Sequence, residues 1–337
     1  MHDGKGIEPA PVAPVTMNTA RISLLLSEQP DRIAIYRPRV GADLSVFDPA
    51  SVQIIQGFKP DFDAFSDAGF EVRIEPEGEF DLAIVAVPRS KTEARDLIAD
   101  AASRASMVVV DGQKTDGIDS IARDIKKRGG NVRVESKSHG KAIAFEGGDF
   151  SDWEHKGPLG SVEGFETRLG VFSADRIDKG SQLLIGALPE KLPSIIADLG
   201  AGWGYLSRHI LERDGVKALH LVEAEHAALE CAKANVTDPR ATFHWADATR
   251  FDPKLRFDGV IMNPPFHTTR AADPALGQAF ISAAARLLAP HGQLWLVANR
   301  QLPYEVALSE RFSFVEKIAD AGGFKVLYAK RPLRTRA

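Results

Sequence analysis

The sequence predicts an α/β chain of two tandem domains, each built on a mostly parallel sheet. Three observations carry this expectation. At 337 residues the chain is too long for one ordinary domain and suits two. From Arg21 onward, short β-rich runs alternate with helical stretches, the pattern of βαβ units. A segment of the first half also recurs in the second, where Phe80-Asp81-Leu82-Ala83-Ile84-Val85-Ala86-Val87-Pro88 aligns with Phe257-Asp258-Gly259-Val260-Ile261-Met262-Asn263-Pro264-Pro265 at an offset of 177.

Residues 1–20, with Pro9, Pro11 and Pro14, lack the basic-then-apolar pattern of a signal peptide and are expected to be a disordered tail. The first domain is expected over 21–148, with strands at Arg32–Tyr36, Leu82–Val87, Met107–Asp111 and Ala142–Phe145. A stretch rich in Gly, Asp and Ser from Glu146 to Gly170, holding Pro158, separates the halves, and 149–169 is the expected linker. The second domain, 170–337, offers strands at Ile195–Leu199, Ala218–Glu223, Thr242–Asp247, Phe257–Met262, Gln293–Val297 and Lys325–Ala329. Near the end of each half, Gly140-Lys141-Ala142-Ile143 loosely matches Gly323-Phe324-Lys325-Val326.

Composition narrows the function. Apolar residues at 44% and charged residues at 26% are average for a soluble globular protein, which excludes wholesale disorder and a fibrous chain. A net charge of -4 excludes a generally basic coat for nucleic acid, though not a local basic patch. Such patches are candidates at Lys126-Lys127-Arg128 and at Lys325, Lys330, Arg331, Arg334 and Arg336. A lone cysteine, Cys231, excludes an intrachain disulfide and a cysteine-cluster zinc site, and suits a reducing cytoplasm. No metal is expected. No apolar run approaches the ~20 residues of a membrane-spanning helix.

The two copies differ where chemistry would sit. Opposite Asn263-Pro264 the first half has Ala86-Val87, and its opening strand runs into Tyr36-Arg37-Pro38-Arg39-Val40-Gly41. The second half's opening strand runs instead into Gly200-Ala201-Gly202-Trp203-Gly204-Tyr205-Leu206, where a helix begins. Glycines there permit positive φ and close approach of a ligand to the backbone, and the new helix directs free N–H groups at an anion. A dinucleotide fingerprint would need Gly or Ala where Tyr205 stands. The Gly-x-Gly-x-Gly spacing instead resembles the cofactor turn of class I S-adenosylmethionine methyltransferases. Chemistry is therefore expected in the second half alone, with the first half positioning substrate or supporting its neighbour.

The neighbours of the turn extend the site. Glu223 ends the second strand 23 residues after Gly200, where a carboxylate can accept from both ribose hydroxyls, with Glu225 as the backup. Asp247 ends the third strand and can accept from an adenine amino group while the Ala248 amide donates to the ring. Asp198, just before the turn, is placed with these cofactor residues, as is Asn263.

The strongest motif is Asn263-Pro264-Pro265-Phe266, followed by His267. Each proline fixes its own φ and restrains the residue before it. The Asn263 side-chain oxygen and the Pro264 carbonyl can thus be held at the C-terminal edge of the sheet, where two neutral acceptors grip both hydrogens of a planar –NH2 group. The nitrogen is driven toward sp3 character and its growing positive charge is stabilised. Phe266 would stack on a flat ring, a base in a helix would first be flipped out, and His267 would line the pocket or carry off the proton.

These residues also resemble a family. Gly170-Val171-Phe172-Ser173, Asp178-Lys179-Gly180-Ser181-Gln182-Leu183-Leu184, Asn263-Pro264-Pro265-Phe266-His267, Leu296 through Tyr304 and Gly323-Phe324-Lys325-Val326 are similar to segments of bacterial ribosomal RNA guanine-N2 methyltransferases. The match is dense from about Gly170 to Arg331 and thin over the first half. The resemblance implies two tandem class I methyltransferase (Rossmann-like) domains, the N-terminal one degenerate, with S-adenosylmethionine as cofactor. The Gly-Ser-Gln-Leu-Leu segment favours the small-subunit branch, methyltransferase C, acting on a guanine of 16S rRNA in the 30S particle. The poorly matched first half keeps a 23S substrate open. Adenine-N6 and protein-glutamine methyltransferases also use Asn-Pro-Pro before an aromatic, more often Tyr than the Phe266 found here. A non-enzymatic ribosome assembly factor with a vestigial pocket is opposed by the intact Asn263, Glu223 and three glycines.

Overall fold

The structure, a computed structural model, describes residues 17–155, 157–265 and 274–333. Most of the expected tail (1–16), Phe266, His267, Arg334 and Arg336 lie outside the described residues. The first half comprises α1 (Thr19–Ile22), β1 (Ile33–Tyr36), β2 (Val52–Ile55), α2 (Lys59–Asp67), β3 (Glu71–Arg73), β4 (Phe80–Ala86), α3 (Lys91–Arg104), β5 (Ala105–Gln113), α4 (Ile118–Lys126), β6 (Arg133–Lys137) and β7 (Gly140–Phe145). A two-stranded ribbon follows, β8 (Gly160–Val162) and β9 (Phe165–Thr167). The second half holds α5 (Lys179–Ala187), β10 (Ile195–Leu199), α6 (Tyr205–Leu211), β11 (Ala218–Glu223), α7 (His226–Asn235), β12 (Ala241–Trp245), β13 (Phe257–Met262), α8 (Pro274–Leu287), β14 (Leu288–Asn299), α9 (Tyr304–Ser309), β15 (Phe312–Ala321) and β16 (Phe324–Pro332).

The two sheets have the same strand order, β3-β2-β1-β4-β5-β7-β6 and β12-β11-β10-β13-β14-β16-β15. In both, five strands run parallel and the last two join antiparallel. The recurrent Phe-Asp pair has a physical cause. Phe80 and Phe257 are buried, while Asp81 and Asp258 each accept a backbone N–H at the entry to the central strand, from Arg32 at 2.9 Å and from Ile195 at 3.1 Å. The looser terminal match needs a one-residue correction. Gly140 pairs with Gln113 at the end of β5, and Phe324 pairs with Asn299 at the end of β14, so Phe324 rather than Gly323 is the structural counterpart of Gly140.

Alternating side chains set the layers of the second half. Ala197, Leu199, Val260 and Met262 face α8 and α9, packing on Phe280, Ile281 and Leu308. Ile196, Ile261 and Val297 face α5 and α6, packing on Leu184, Leu206 and Ile210. Asp198, between Ala197 and Leu199, therefore points toward α6. The first half repeats the arrangement, with α3 and α4 on one face and Met17, Ile22 and Phe65 on the other.

Residues 17–20, expected in the disordered tail, are instead tied down. Arg21 is fully buried and pairs with Asp111, Nε to Oδ1 at 2.5 Å and Nη2 to Oδ2 at 2.9 Å, while the Asn18 amide donates to the same carboxylate. Within the expected linker, the ribbon packs Phe165 against Trp203 of the glycine turn, with ring centroids 5.2 Å apart. In the two large sheets, the strands the sequence did not announce, β2, β3, β6 and β15, are short or carry polar residues, and all but β2 lie at sheet edges.

The halves meet through equivalent segments. Strand register places Arg37 where the second half has Gly200, and Gln56 through Lys59 where it has Glu223 through His226. These two corresponding loops pair with each other: the Lys59 amide donates to Ala224 O at 2.8 Å and the His226 amide to Gly57 O at 2.9 Å. Trp245 Nε1 donates to both Gly57 O and Ala224 O, and Phe62 and Lys59 pack on its ring.

Candidate active site

The site forms at the C-terminal ends of the paired strands β10 and β13, where the strand order reverses, the switch point at which open parallel sheets bind ligands. Gly200, Gly202 and Gly204 all have positive φ, at 75°, 56° and 90°. Only glycine adopts all three without strain, so the chain turns sharply from strand into helix. A Cβ on Gly204 would lie 2.9 Å from Val236 Cγ2 and 3.3 Å from Ala232 Cα, whereas one on Gly202 would meet nothing within 4 Å. Gly204 is thus pressed onto α7, and Gly202 faces an open cradle.

Glu223 holds that cradle. Its Oε2 accepts from the Gly202 amide at 2.8 Å and its Oε1 from the Glu225 amide at 2.7 Å. Burial raises its pKa, against the backbone hydrogen bonds that lower it. A carboxylate offers about four lone-pair sites, so both oxygens retain capacity for ribose hydroxyls. Glu225, the expected backup, is committed elsewhere: it pairs with Arg37 of the first half through two hydrogen bonds, at 3.1 and 2.7 Å. Asp198 lies beneath the turn and is fully buried, its Oδ2 accepting from Ser207 Oγ at 2.7 Å. Its Oδ1 has no partner among the described residues, and burial raises its pKa to about 7, with Glu223 nearby adding to the effect. Asp247 turns the chain after β12, its Oδ1 accepting from both the amide and the hydroxyl of Thr249. Ala248 beside it is buried. Lys59, Asp63, Asp247, Arg250 and Phe251 line a cleft of about 290 Å³, so the first half walls this edge of the site.

Asn263 stands at the end of β13, immediately after Met262. Its Nδ2 donates to Asp178 Oδ2 at 2.9 Å and to Ser181 Oγ at 2.8 Å. With both amide hydrogens taken, Oδ1 is buried and has no hydrogen-bond partner among the described residues. A buried orphan acceptor is costly unless a ligand supplies the donor. Asp178 also caps α5 by accepting the Ser181 amide at 2.8 Å. Its reach to Asn263, 85 residues away, is a tertiary event that no local signal announces.

The first half shows what the site becomes without its function. Arg37 takes φ 57° in the place of Gly200, and its amide still donates to the neighbouring strand, at Ile55 O. Gln56, in the place of Glu223, accepts from the Phe58 amide at 2.9 Å and donates to Pro38 O at 2.8 Å. The geometry survives with the carboxylate exchanged for an amide. The basic patches are also smaller than expected. Lys325 is buried and bound to Glu305 at 2.6 Å, and Arg128 is paired with Asp152, because both are used to join elements. Lys126, Lys127 and Arg331 are exposed.

Comparison with known proteins agrees with this geometry. Residues 163–328 match the model of the methyltransferase small domain. Ribosomal RNA small subunit methyltransferase C of Psychromonas ingrahamii is 29% identical over 278 residues, covering 78% of this chain and 79% of that one. Its namesake from Hahella chejuensis is 27% identical over 329 residues, covering 91% and 94%. A solved T. thermophilus 16S rRNA N2 methyltransferase, in complex with AdoMet and guanosine, shares the fold with a TM-score of 0.78 at 24% identity, over 95% of this chain and 94% of that one. Fold and site together define a class I methyltransferase, present as two tandem domains of which the first has lost the cofactor turn. Within that class, the chain is similar over most of its length to ribosomal RNA small subunit methyltransferase C.

Proposed function

We propose that this protein transfers a methyl group from S-adenosylmethionine to the exocyclic N2 amine of a guanine in 16S rRNA, acting on the 30S subunit in the cytoplasm. The observation that carries this reading is the Asn263 amide, whose Nδ2 is tied on two sides while its buried Oδ1 awaits a donor. The names of the relatives support the rRNA substrate.

The cofactor fits the residues present: an open cradle at Gly202, a carboxylate at Glu223 with spare acceptor capacity, and turns at Gly200 and Gly204 that bring backbone close. Glu223 is assigned to the ribose hydroxyls, Asp247 and the Ala248 amide to the adenine, and the glycines to close backbone contact, with Asp198 beneath them. When bound, the cofactor supplies an electrophilic methyl group on a sulfonium. Asn263 Oδ1 and the Pro264 carbonyl accept the two hydrogens of the guanine amine, which localises its lone pair. As positive charge develops on that nitrogen, the same two oxygens stabilise it more strongly than they stabilised the neutral amine. Pro265 keeps the acceptors rigid, and Phe266 is assigned to stacking on the base. No strong base is required early, because the nitrogen acidifies as it is alkylated.

The test is incubation with methyl-labelled S-adenosylmethionine and 30S or 50S subunits from cells lacking the gene, followed by nucleoside mass spectrometry. The expected product is N2-methylguanosine from 30S alone, absent with Asn263→Ala. Label on 50S would move the substrate to 23S rRNA, and methyladenosine or labelled protein would overturn the assignment of the ring.

A further inference from the structure

We propose that Asp178 and Ser181 are positioning residues that act through Asn263: they hold its amide in one orientation, and the Asp178 carboxylate polarises it. This rests on the amine-methylation reading and deepens it.

An asparagine amide can present either its oxygen or its nitrogen to a ligand, and only its surroundings decide which. An ionised carboxylate offers acceptors alone, so Asp178 Oδ2, 2.9 Å from Nδ2, permits one flip of Asn263 and forbids the other. Ser181 Oγ, at 2.8 Å, takes the second amide hydrogen. The acceptor pair is itself rigid. Asp178 is the N-cap of α5, with φ −69° and ψ 129°, and the same Oδ2 accepts the Ser181 amide at 2.8 Å. Gly180 makes room for this arrangement, since a Cβ there would sit 3.0 Å from Asp178 Oδ2 and 3.1 Å from the Phe324 ring. The result is an Asn263 Oδ1 that is buried, unpartnered among the described residues and unable to rotate away.

Charge adds to orientation. A carboxylate accepting from an amide N–H draws electron density toward the amide oxygen, because linked hydrogen bonds polarise one another at low dielectric. The amine that gains positive charge during transfer would rest against that oxygen. The Asp178 charge therefore favours the transition state from one amide away, without touching substrate.

An exchange of the two side chains tests this. Asp178→Asn keeps the helix cap, since Asn and Asp cap comparably. Its thermal stability, cofactor affinity and KM for 30S subunits should stay within about twofold of wild type while kcat falls at least tenfold. Asn263→Asp sets two carboxylates side by side and should fall further. The double variant Asp178→Asn/Asn263→Asp removes the facing pair of carboxylates and should recover at least tenfold over Asn263→Asp alone. Wild-type kcat in Asp178→Asn, or no recovery in the double variant, would overturn the proposal.

A second readout is independent of methyl transfer. In full-length protein labelled with 15N-asparagine, the Asn263 side-chain signal is identified by its loss in Asn263→Ala. It should exchange slowly with water in wild type and at least fivefold faster in Asp178→Asn. An inert wild type with this NMR response would refute the functional reading alone, whereas an unresponsive signal would refute the positioning role.

Discussion

Asp198 sits on the α6 face of β10 because side chains alternate along a strand, and that placement takes its carboxylate wholly out of water. Burial raises its pKa from 3.8 to about 7, the neighbouring Glu223 adds to this, and the Ser207 hydroxyl opposes it. The native state thus binds the proton more tightly than the unfolded chain does. Between pH 3.8 and about 7 this group makes the fold less stable as pH rises, and the loss is complete above about 7. Asp198→Asn removes the dependence. Its melting temperature relative to wild type should rise as the buffer moves from pH 5 to pH 8, and a difference constant with pH would exclude Asp198 as the titrating group.

The strand-to-helix turn between β10 and α6 divides its work among its glycines. At Gly204 an alanine faces both φ 90° and contact with Val236 and Ala232. Gly204→Ala should cost about 2 kcal/mol in chemical denaturation, as for strained backbone and overpacking. At Gly202, with φ 56° and open space, Gly202→Ala should cost only about 1 kcal/mol of folding stability. Its methyl group would project into the cradle, so cofactor affinity measured by calorimetry should fall more than stability does. Equal effects on both quantities in both variants would refute this division. The three glycines, Glu223 and the Asn-Pro-Pro run were all legible from spacing, because they belong to contiguous strand-to-loop segments. The edge strands β3 and β15 were not, because they are paired on one side only and carry exposed polar residues.

Across the whole molecule, the first half's counterpart of the glycine turn braces the proposed cofactor site of the second. Arg37, in the place of a glycine, reaches across to Glu225, whose amide in turn holds Glu223 at the cradle. Each side chain of the ion pair is 21% exposed. Arg37→Ala should therefore cost on the order of 3 kcal/mol by leaving a largely desolvated carboxylate unpaired. It should also weaken cofactor binding severalfold, since the Glu223 loop loses its brace. Lost stability with unchanged cofactor affinity, by denaturation and calorimetry, would limit Arg37 to holding the halves together.

The sequence alone determined the recurrence between the halves, the glycine turn present in one copy and absent from the other, and the residues proposed to meet the cofactor and the amine. Each of these is written in local pattern: strand hydrophobicity, glycine spacing and the stiffness of consecutive prolines. Tertiary structure alone decided that Glu225 belongs to an interdomain pair, that Lys325 is buried against Glu305, and that Asp178 orients Asn263. Those assignments depend on which polar groups remain to be satisfied once distant segments are packed together, and spacing along the chain carries no record of that.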